Sequence, residues 1–306
     1  MSDGTVLSKC LAGGVGCGIA GLITNPLDVI KIRNQQYGST HPSDIVWSDP
    51  RYRTFLGTAS SIFHGEGVRG FGRGASASVL RECTYSALRM GLYEPIKARY
   101  SAILLDDGET STSSPSSSPL VKWMSAFTSG AIGSALFNPV DLVKVRYQSA
   151  RGRPPYSSLP DAFRAIYAEE GGWRGLYAGT SATVVRAAFL TSAQLGSYDV
   201  IKNDVLVDAF SFDGDSTSTH LCASAFASAI TATAANPPDV VKTRVMNDPR
   251  RTVGGPCAHF LHVMRTDGIS GFMRGWTASY LRIGPHTVIS LVLIEKIRQG
   301  IGMASY

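Results

Sequence analysis

Three near-copies of one charged motif constrain this chain more than anything else in it. NPLDVIKIRNQ begins at Asn25, NPVDLVKVRYQ at Asn138 and NPPDVVKTRVM at Asn236. In each, Asp stands two residues after the Pro, Lys five and Arg seven, and the prolines are 113 and 98 residues apart. Glycine-rich echoes follow in the same order: EGVRGFGRG from Glu66, GGWRGLYAG from Gly171 and DGISGFMRG from Asp267. A third set closes each unit. LYEPIK, SYDVIK and LIEKIR align an acid with a base at Glu94/Lys97, Asp199/Lys202 and Glu295/Arg298. Motifs recurring in order at a fixed period mark a repeat architecture. Length alone, 306 residues, argues for two domains. The repeats divide the chain instead into 1–105, 120–210 and 220–306, separated by a low-complexity linker at 106–119 and a polar linker at 211–219.

Each repeat opens with an uncharged stretch: Cys10 to Leu27, Trp123 to Val140, His220 to Pro238. These 18 or 19 residues are just long enough to cross a bilayer as helices. They are rich in Gly, Ala, Ser and Thr, so the mean hydropathy of the chain is only +0.04. Small residues four apart (Gly14/Gly18, Gly130/Ser134, Ser224/Ser228) let helices approach closely in lipid, a pattern soluble helix packing shares. Each repeat closes with a second helical segment, Val79 to Ala98, Thr183 to Asn203 and Ser279 to Gln299, apolar except for internal Arg. A helix facing a polar cavity reads this way; a lipid-facing helix does not.

Charge distribution separates membrane from soluble. The connections inside the repeats (34–80, 147–185, 245–281) hold twelve Arg or Lys; those between repeats (98–121, 203–220) hold one, against seven acids. All basic loops on one face is the positive-inside pattern, and it puts both termini on the opposite side. A soluble helical-repeat binding protein, the competing class, has no reason to segregate charge so. The inner connections contain PDAFRAIYAEEGG and GPCAHFLHVMRTDG, whose apolar spacing predicts short amphipathic helices at the membrane surface. The net charge of +6 favours an anionic partner. Five scattered cysteines without a C-x-x-C pair read as reduced thiols. MSDGTVLSKC lacks the layout of a signal peptide. No P-loop, Ser/His/Asp set or dinucleotide fingerprint is present, which points away from an enzyme. Cys257, His259 and His262 lack the second cysteine pair of a structural metal site, so no metal is expected.

The repeated P-x-D-x-x-K-x-R motif with its glycine-rich echo, over nearly the whole chain, resembles the mitochondrial carrier family. The resemblance implies an all-α membrane protein: six transmembrane helices in three pseudosymmetric repeats, with three short matrix-side amphipathic helices. It implies a multi-pass monomer in the inner mitochondrial membrane, both termini toward the intermembrane space, working by alternating access on small anionic metabolites, without nucleic acid. Phe55 to Gly57 and Phe71 to Gly74 resemble turns that bind cardiolipin through helix N-termini. The chain departs from the pattern at Gly72 and Met273 (an aromatic expected), at Gly171 (the acid being Glu170, one residue early) and at Met246 (Gln expected).

Six charges at the Pro motifs cannot stay unpaired in a membrane, where each costs roughly 2.5–3.5 kcal/mol. Asp28/Lys31, Asp141/Lys144 and Asp239/Lys242 are spaced i, i+3, on one side of each helix. Pro26, Pro139 and Pro237 kink the helices just before them. Three acids and three bases around a ring can pair between neighbours and close one mouth. By resemblance this is the matrix gate, braced by Gln35 and Gln148. The ring of Glu94, Lys97, Asp199, Lys202, Glu295 and Arg298 is by resemblance the cytoplasmic gate, braced by Tyr93 and Tyr198.

Counting thirteen residues back from each far-end acid gives Arg81, Arg186 and Arg282. Steps of four along the same faces add Tyr85 and Arg89, Leu190 and Gln194, His286 and Ser290. Four guanidiniums around a low-dielectric cavity repel one another and want an anion, and their fork matches a carboxylate; the alternative is that some of them partner backbone carbonyls or gate acids. RECTYSALRMGLYE, RAAFLTSAQLGSYD and RIGPHTVISLVLIE resemble the dicarboxylate, oxoglutarate and uncoupling-protein group. The expected solutes are dicarboxylates and oxo-acids such as malate, oxoglutarate, succinate or oxaloacetate, carried in exchange. A proton leak of uncoupling type, or carriage of phosphate, sulfate or thiosulfate, is the alternative within transport. His286 reads first as a packed polar residue, with titration in proton-coupled exchange as the alternative.

Overall fold

The computed structural model describes residues 3–39, 49–106, 119–151, 156–200, 217–248 and 252–283, with positions 286, 289, 290 and 293. Among them every regular element is helical. In the first repeat α1 (Asp3–Gln36) is followed by α2 (Phe55–Glu66), a single turn α3 (Val68–Phe71) and α4 (Ala75–Asp106). The second has α5 (Pro119–Leu136), α6 (Asn138–Ser149), α7 (Leu159–Glu169), α8 (Trp173–Leu176) and α9 (Thr180–Val200). The third has α10 (Thr217–Met246), α11 (Pro256–Thr266), α12 (Gly268–Phe272) and α13, described over 276–283 and as helical at 286, 289, 290 and 293.

Helix continues well past the apolar stretches of the first and third repeats. α1 and α10 keep their prolines inside and carry the whole charged motif. In the second repeat the helix breaks at Phe137, and Pro139 opens a new one. A proline that cannot donate to the preceding turn produces both outcomes. Neighbours pack in a closed order: α1 on α4, α4 on α5, α5 on α9, α9 on α10. α13 completes the ring. Its Trp276 Nε1 donates to Thr233 Oγ1 on α10 at 3.0 Å, and its Ala278 packs with Val29 and Ile30 of α1.

Small residues set the spacing of the first pair. A Cβ at Gly14 would stand 2.9 Å from the Cys83 carbonyl oxygen of α4, so the helices approach backbone to backbone there. The predicted surface helices are present as α7 and α11, with α2 as their counterpart. Each turns one apolar side inward, where Ile62, Ile166 and Val263 are buried against the motif helices. The outward side keeps large apolar residues exposed, among them Leu56, Phe63, Tyr167 and Leu261, which suits an interface with lipid. Of the described helices, only Gly13–Gln36 is long and apolar enough to be read as a span by composition. The others bury polar side chains toward the bundle, which lowers their mean hydropathy without exposing charge to lipid.

Gly14→Leu tests the close approach. It is expected to destabilise the bundle by about 1–3 kcal/mol, seen as a lower melting temperature in detergent, whereas Gly72→Ala, whose Cβ would meet only the Arg69 carbonyl at 3.6 Å, is expected to leave it unchanged.

Candidate functional site

The asparagine before each motif proline fixes the geometry of the kink. Asn25 Nδ2 donates to the Phe71 and Arg73 carbonyls at 2.8 and 3.2 Å; Asn138 does the same to Leu176 and Ala178 at 3.2 and 3.1 Å, and Asn236 to Phe272 and Arg274 at 2.6 and 3.2 Å. Each Asn Oδ1 accepts a hydroxyl from the following helix: Ser78, Thr183 or Ser279. Helix, surface turn and next helix are thus tied at one point in every repeat. Sequence reasoning passed over these asparagines, although their threefold recurrence is visible.

With the kinks fixed, the motif charges meet. Lys144 Nζ lies 2.8 Å from Asp28 Oδ2, Lys242 pairs with Asp141, and Lys31 pairs with Asp239. Every acid takes its lysine from another repeat, in one cyclic sense. None of the six side chains is more than 11% exposed. Gln35 also reaches the ring, donating to Asp239 Oδ2 at 3.4 Å and accepting from Thr243 at 2.8 Å. Gln148 does not brace an ion pair. Its Nε2 is bound to Asn25 Oδ1 at 2.9 Å and Ser78 Oγ at 3.0 Å. The backbone approach is the same for both glutamines: a Cβ on Gly74 would stand 2.9 Å from Gln148 Cγ and one on Gly275 2.9 Å from Gln35 Cγ, so what differs is the partner each amide finds.

Spacing alone leaves open whether Arg81, Arg186 and Arg282 line the chamber for an anion or partner the gate acids. The structure brings all three to one cavity and gives each a ring aspartate. Arg81 Nε is 3.5 Å from Asp141 Oδ1, Arg186 Nε 2.5 Å from Asp239 Oδ1 and Arg282 Nε 2.7 Å from Asp28 Oδ1. Each acid therefore sits between one Lys and one Arg. The space among these residues is about 50 Å³, enough for a few waters. The mouth at this level is shut. Low dielectric makes an unneutralised guanidinium costly, and each arginine is matched by the nearest carboxylate.

Two further charged features were missed. Glu82, beside Arg81, is only 4% exposed and touches both Arg81 and Arg282. Below the ring, the arginine ending each motif forms a second layer. Arg33 donates to Glu66 at 2.8 and 3.0 Å and to the Gln148 and Ala150 carbonyls of the second repeat. Arg146 holds Glu170 and the Met246 carbonyl; Arg244 holds Asp267 and the Gln35 and Tyr37 carbonyls. Each guanidinium thus caps the orphan carbonyls at the end of a neighbouring helix. Glu170 fills the acid role despite its one-residue offset, because Gly171 and Gly172 both adopt positive φ (82° and 69°) and absorb the extra residue.

Toward the other mouth, the Arg81 guanidinium lies over the Tyr85 ring, 5.0 Å from its centroid. Tyr85 fits because α5 offers Gly130 and Gly133 opposite it. Arg89 is half-buried and makes no ion pair among the described residues; Leu190 is half-buried. Ser290 donates to the His286 carbonyl at 2.7 Å, and the buried His286 Nε2 has no hydrogen-bond partner among the described residues. Of the second ring, Tyr93 and Lys97 are half-buried and Glu94 is exposed, without ion pairs among the described residues. Gln194, Tyr198 and Asp199 belong to α9, but their side chains lie outside the description; so do Lys202, Glu295 and Arg298 altogether. In the loop after α10, His259 Nε2 faces Asp248 Oδ2 at 3.3 Å. Burial pushes the imidazole below its ordinary value. Asp248 is held low against burial by the Val253 and Thr252 N–H groups.

Three helix pairs around a sealed, charge-lined axis define a membrane transporter of threefold repeat type, not an enzyme. The family described as "Mitochondrial carrier protein" matches residues 2–103, 115–207 and 213–304. The chain is 35% identical over 301 residues to "Mitochondrial substrate carrier family protein ucpB" of Dictyostelium discoideum, covering 96% of each. It is 35% identical to "Mitochondrial uncoupling protein 5" of Arabidopsis thaliana, covering 94% of this chain and 95% of that protein. It is 33% identical to "Putative mitochondrial transporter UCP3" of Sus scrofa, covering 97% of this chain and 93% of that protein. The chain belongs to the mitochondrial carrier family, multi-pass transporters of the inner mitochondrial membrane. Nothing in these likenesses supports a soluble repeat array.

Lys144→Gln and Asp28→Asn, made singly and together, probe the ring. The double variant is expected to lose less thermal stability than the two singles summed, with a coupling of about 1–3 kcal/mol; strict additivity would mean that the pair contributes nothing.

Proposed function

We propose that this protein exchanges small anionic metabolites across the inner membrane by alternating access, with dicarboxylates and oxo-acids as its solutes. The observation that carries this reading is the arrangement of Arg81, Arg186 and Arg282 at one level with Arg89 above them, half-buried and free of an internal acid among the described residues. The ring of Asp28, Asp141 and Asp239 with Lys31, Lys144 and Lys242 is the matrix gate, closed here. An anion entering from the opposite mouth meets Arg89 first. It then competes with the ring aspartates for the other arginines, which loosens the gate and biases the protein toward opening inward. Both termini stand on the intermembrane-space side, and the protein works as a monomer.

One relative's name, that of an uncoupling protein, favours a second reading, a leak of uncoupling type; carriage of phosphate, sulfate or thiosulfate is the inorganic alternative. Bound cardiolipin is also part of the proposal. Thr54 to Phe55, opening α2, shares a cavity of about 270 Å³ with Met273 to Thr277 of the third repeat, and Arg53 stands at its edge. Its walls offer N–H groups at two helix starts to a phosphate. The Phe71–Gly74 turn is not part of that cavity.

Uptake of labelled malate, oxoglutarate, phosphate and sulfate into anion-loaded liposomes separates the readings. Malate or oxoglutarate uptake that requires internal anion is expected; a proton conductance without it would replace exchange by leak. Arg89→Ala is expected to insert normally and to lose at least about tenfold in uptake. Wild-type rates in that variant would remove Arg89 from the solute path.

A further inference from the structure

Glu82 breaks the threefold order of the pathway. The residue after Arg186 is Ala187 and the one after Arg282 is Ile283, so one repeat alone puts an acid there. Its Oε1 lies 2.6 Å from Arg81 Nη1 and 3.3 Å from Arg282 Nη2, so a single carboxylate oxygen bridges guanidiniums of the first and third repeats. The seat is built for it. A Cβ on Gly21 of α1 would stand 2.8 Å from Glu82 Cγ, whereas the matching positions four residues before Asn138 and Asn236 are Ser134 and Ala232. Its charged surroundings are Arg81 on its own helix, Asp28 on α1, Lys144 on α6, and Arg282 and His286 on α13.

We propose that Glu82 is a tethered counter-anion and a specificity-determining residue. It occupies the Arg81–Arg282 fork that would otherwise receive one carboxylate of a dianionic solute, and so lowers the affinity of the pathway for dianions relative to monoanions. The reasoning is competitive. A guanidinium pair has a limited set of donors in one plane, and a carboxylate held 2.6 Å away has no translational entropy to lose. A dianion must displace it or bind with one end unmatched. A monoanion anchored at Arg89 need not. The inference rests on the anion-carrier reading above.

Glu82→Gln keeps the shape and removes the charge. In reconstituted liposomes its half-saturation concentration for malonate and malate is expected to fall at least about fivefold, while that for a monocarboxylate such as butyrate changes less than about twofold. Gly21→Ala crowds Glu82 out of its seat without touching a charge, and is expected to act in the same direction; it carries the test should Glu82→Gln fail to insert. A change of maximal rate shared equally by all anions, with unchanged half-saturation, would make Glu82 a structural part of gate closure and overturn the proposal. Wild-type vesicles that exchange none of these anions would instead remove the reading on which it rests.

Discussion

The cyclic pairing of three aspartates with three lysines is the constraint on which the rest of the molecule depends. A single such charge left unmatched in a membrane costs roughly 2.5–3.5 kcal/mol. In the closed ring no repeat pairs its own Asp with its own Lys, although the two are helix neighbours; every pair crosses to another repeat. Asp28 needs Lys144, Asp141 needs Lys242 and Asp239 needs Lys31. Closure of the circle matches all six charges at once and seals the axis. Buried ion pairs contribute little net stability once desolvation is counted, so separating them costs less than their number suggests.

Around the ring the repeats agree in their scaffolding. The Asn clamp and the terminal Arg capping a neighbour's carbonyls recur three times. Those contacts engage main-chain atoms, so side-chain identity can drift elsewhere without disturbing them. Where the repeats disagree, the differences are scattered: Met246 replaces a glutamine and packs in an apolar cluster, Glu170 is displaced by a residue, and Glu82, beside the ring, has no counterpart. The threefold frame thus carries an asymmetric lining where Glu82 stands.

Much of this was legible from residue order. The period, the alternation of span and surface helix, the sidedness of charge and the level of the arginines all follow from spacing, since helical geometry maps spacing onto faces. What escaped were properties of neighbours. Gln148 looked equivalent to Gln35, yet its amide goes to Asn25 and Ser78 while that of Gln35 reaches Asp239. Spacing left the partners of Arg81, Arg186 and Arg282 open because their aspartates lie on different helices, in other repeats.

Sequence by itself therefore determined the threefold helical architecture and the levels at which the motif charges and the three arginines stand. These depend on period and composition, which are local. Only the tertiary structure decided who pairs with whom: that each aspartate is shared between a lysine and an arginine, and that Glu82 bridges two guanidiniums. Partner choice depends on distances between helices, and a linear pattern carries no information about those until the backbones have closed.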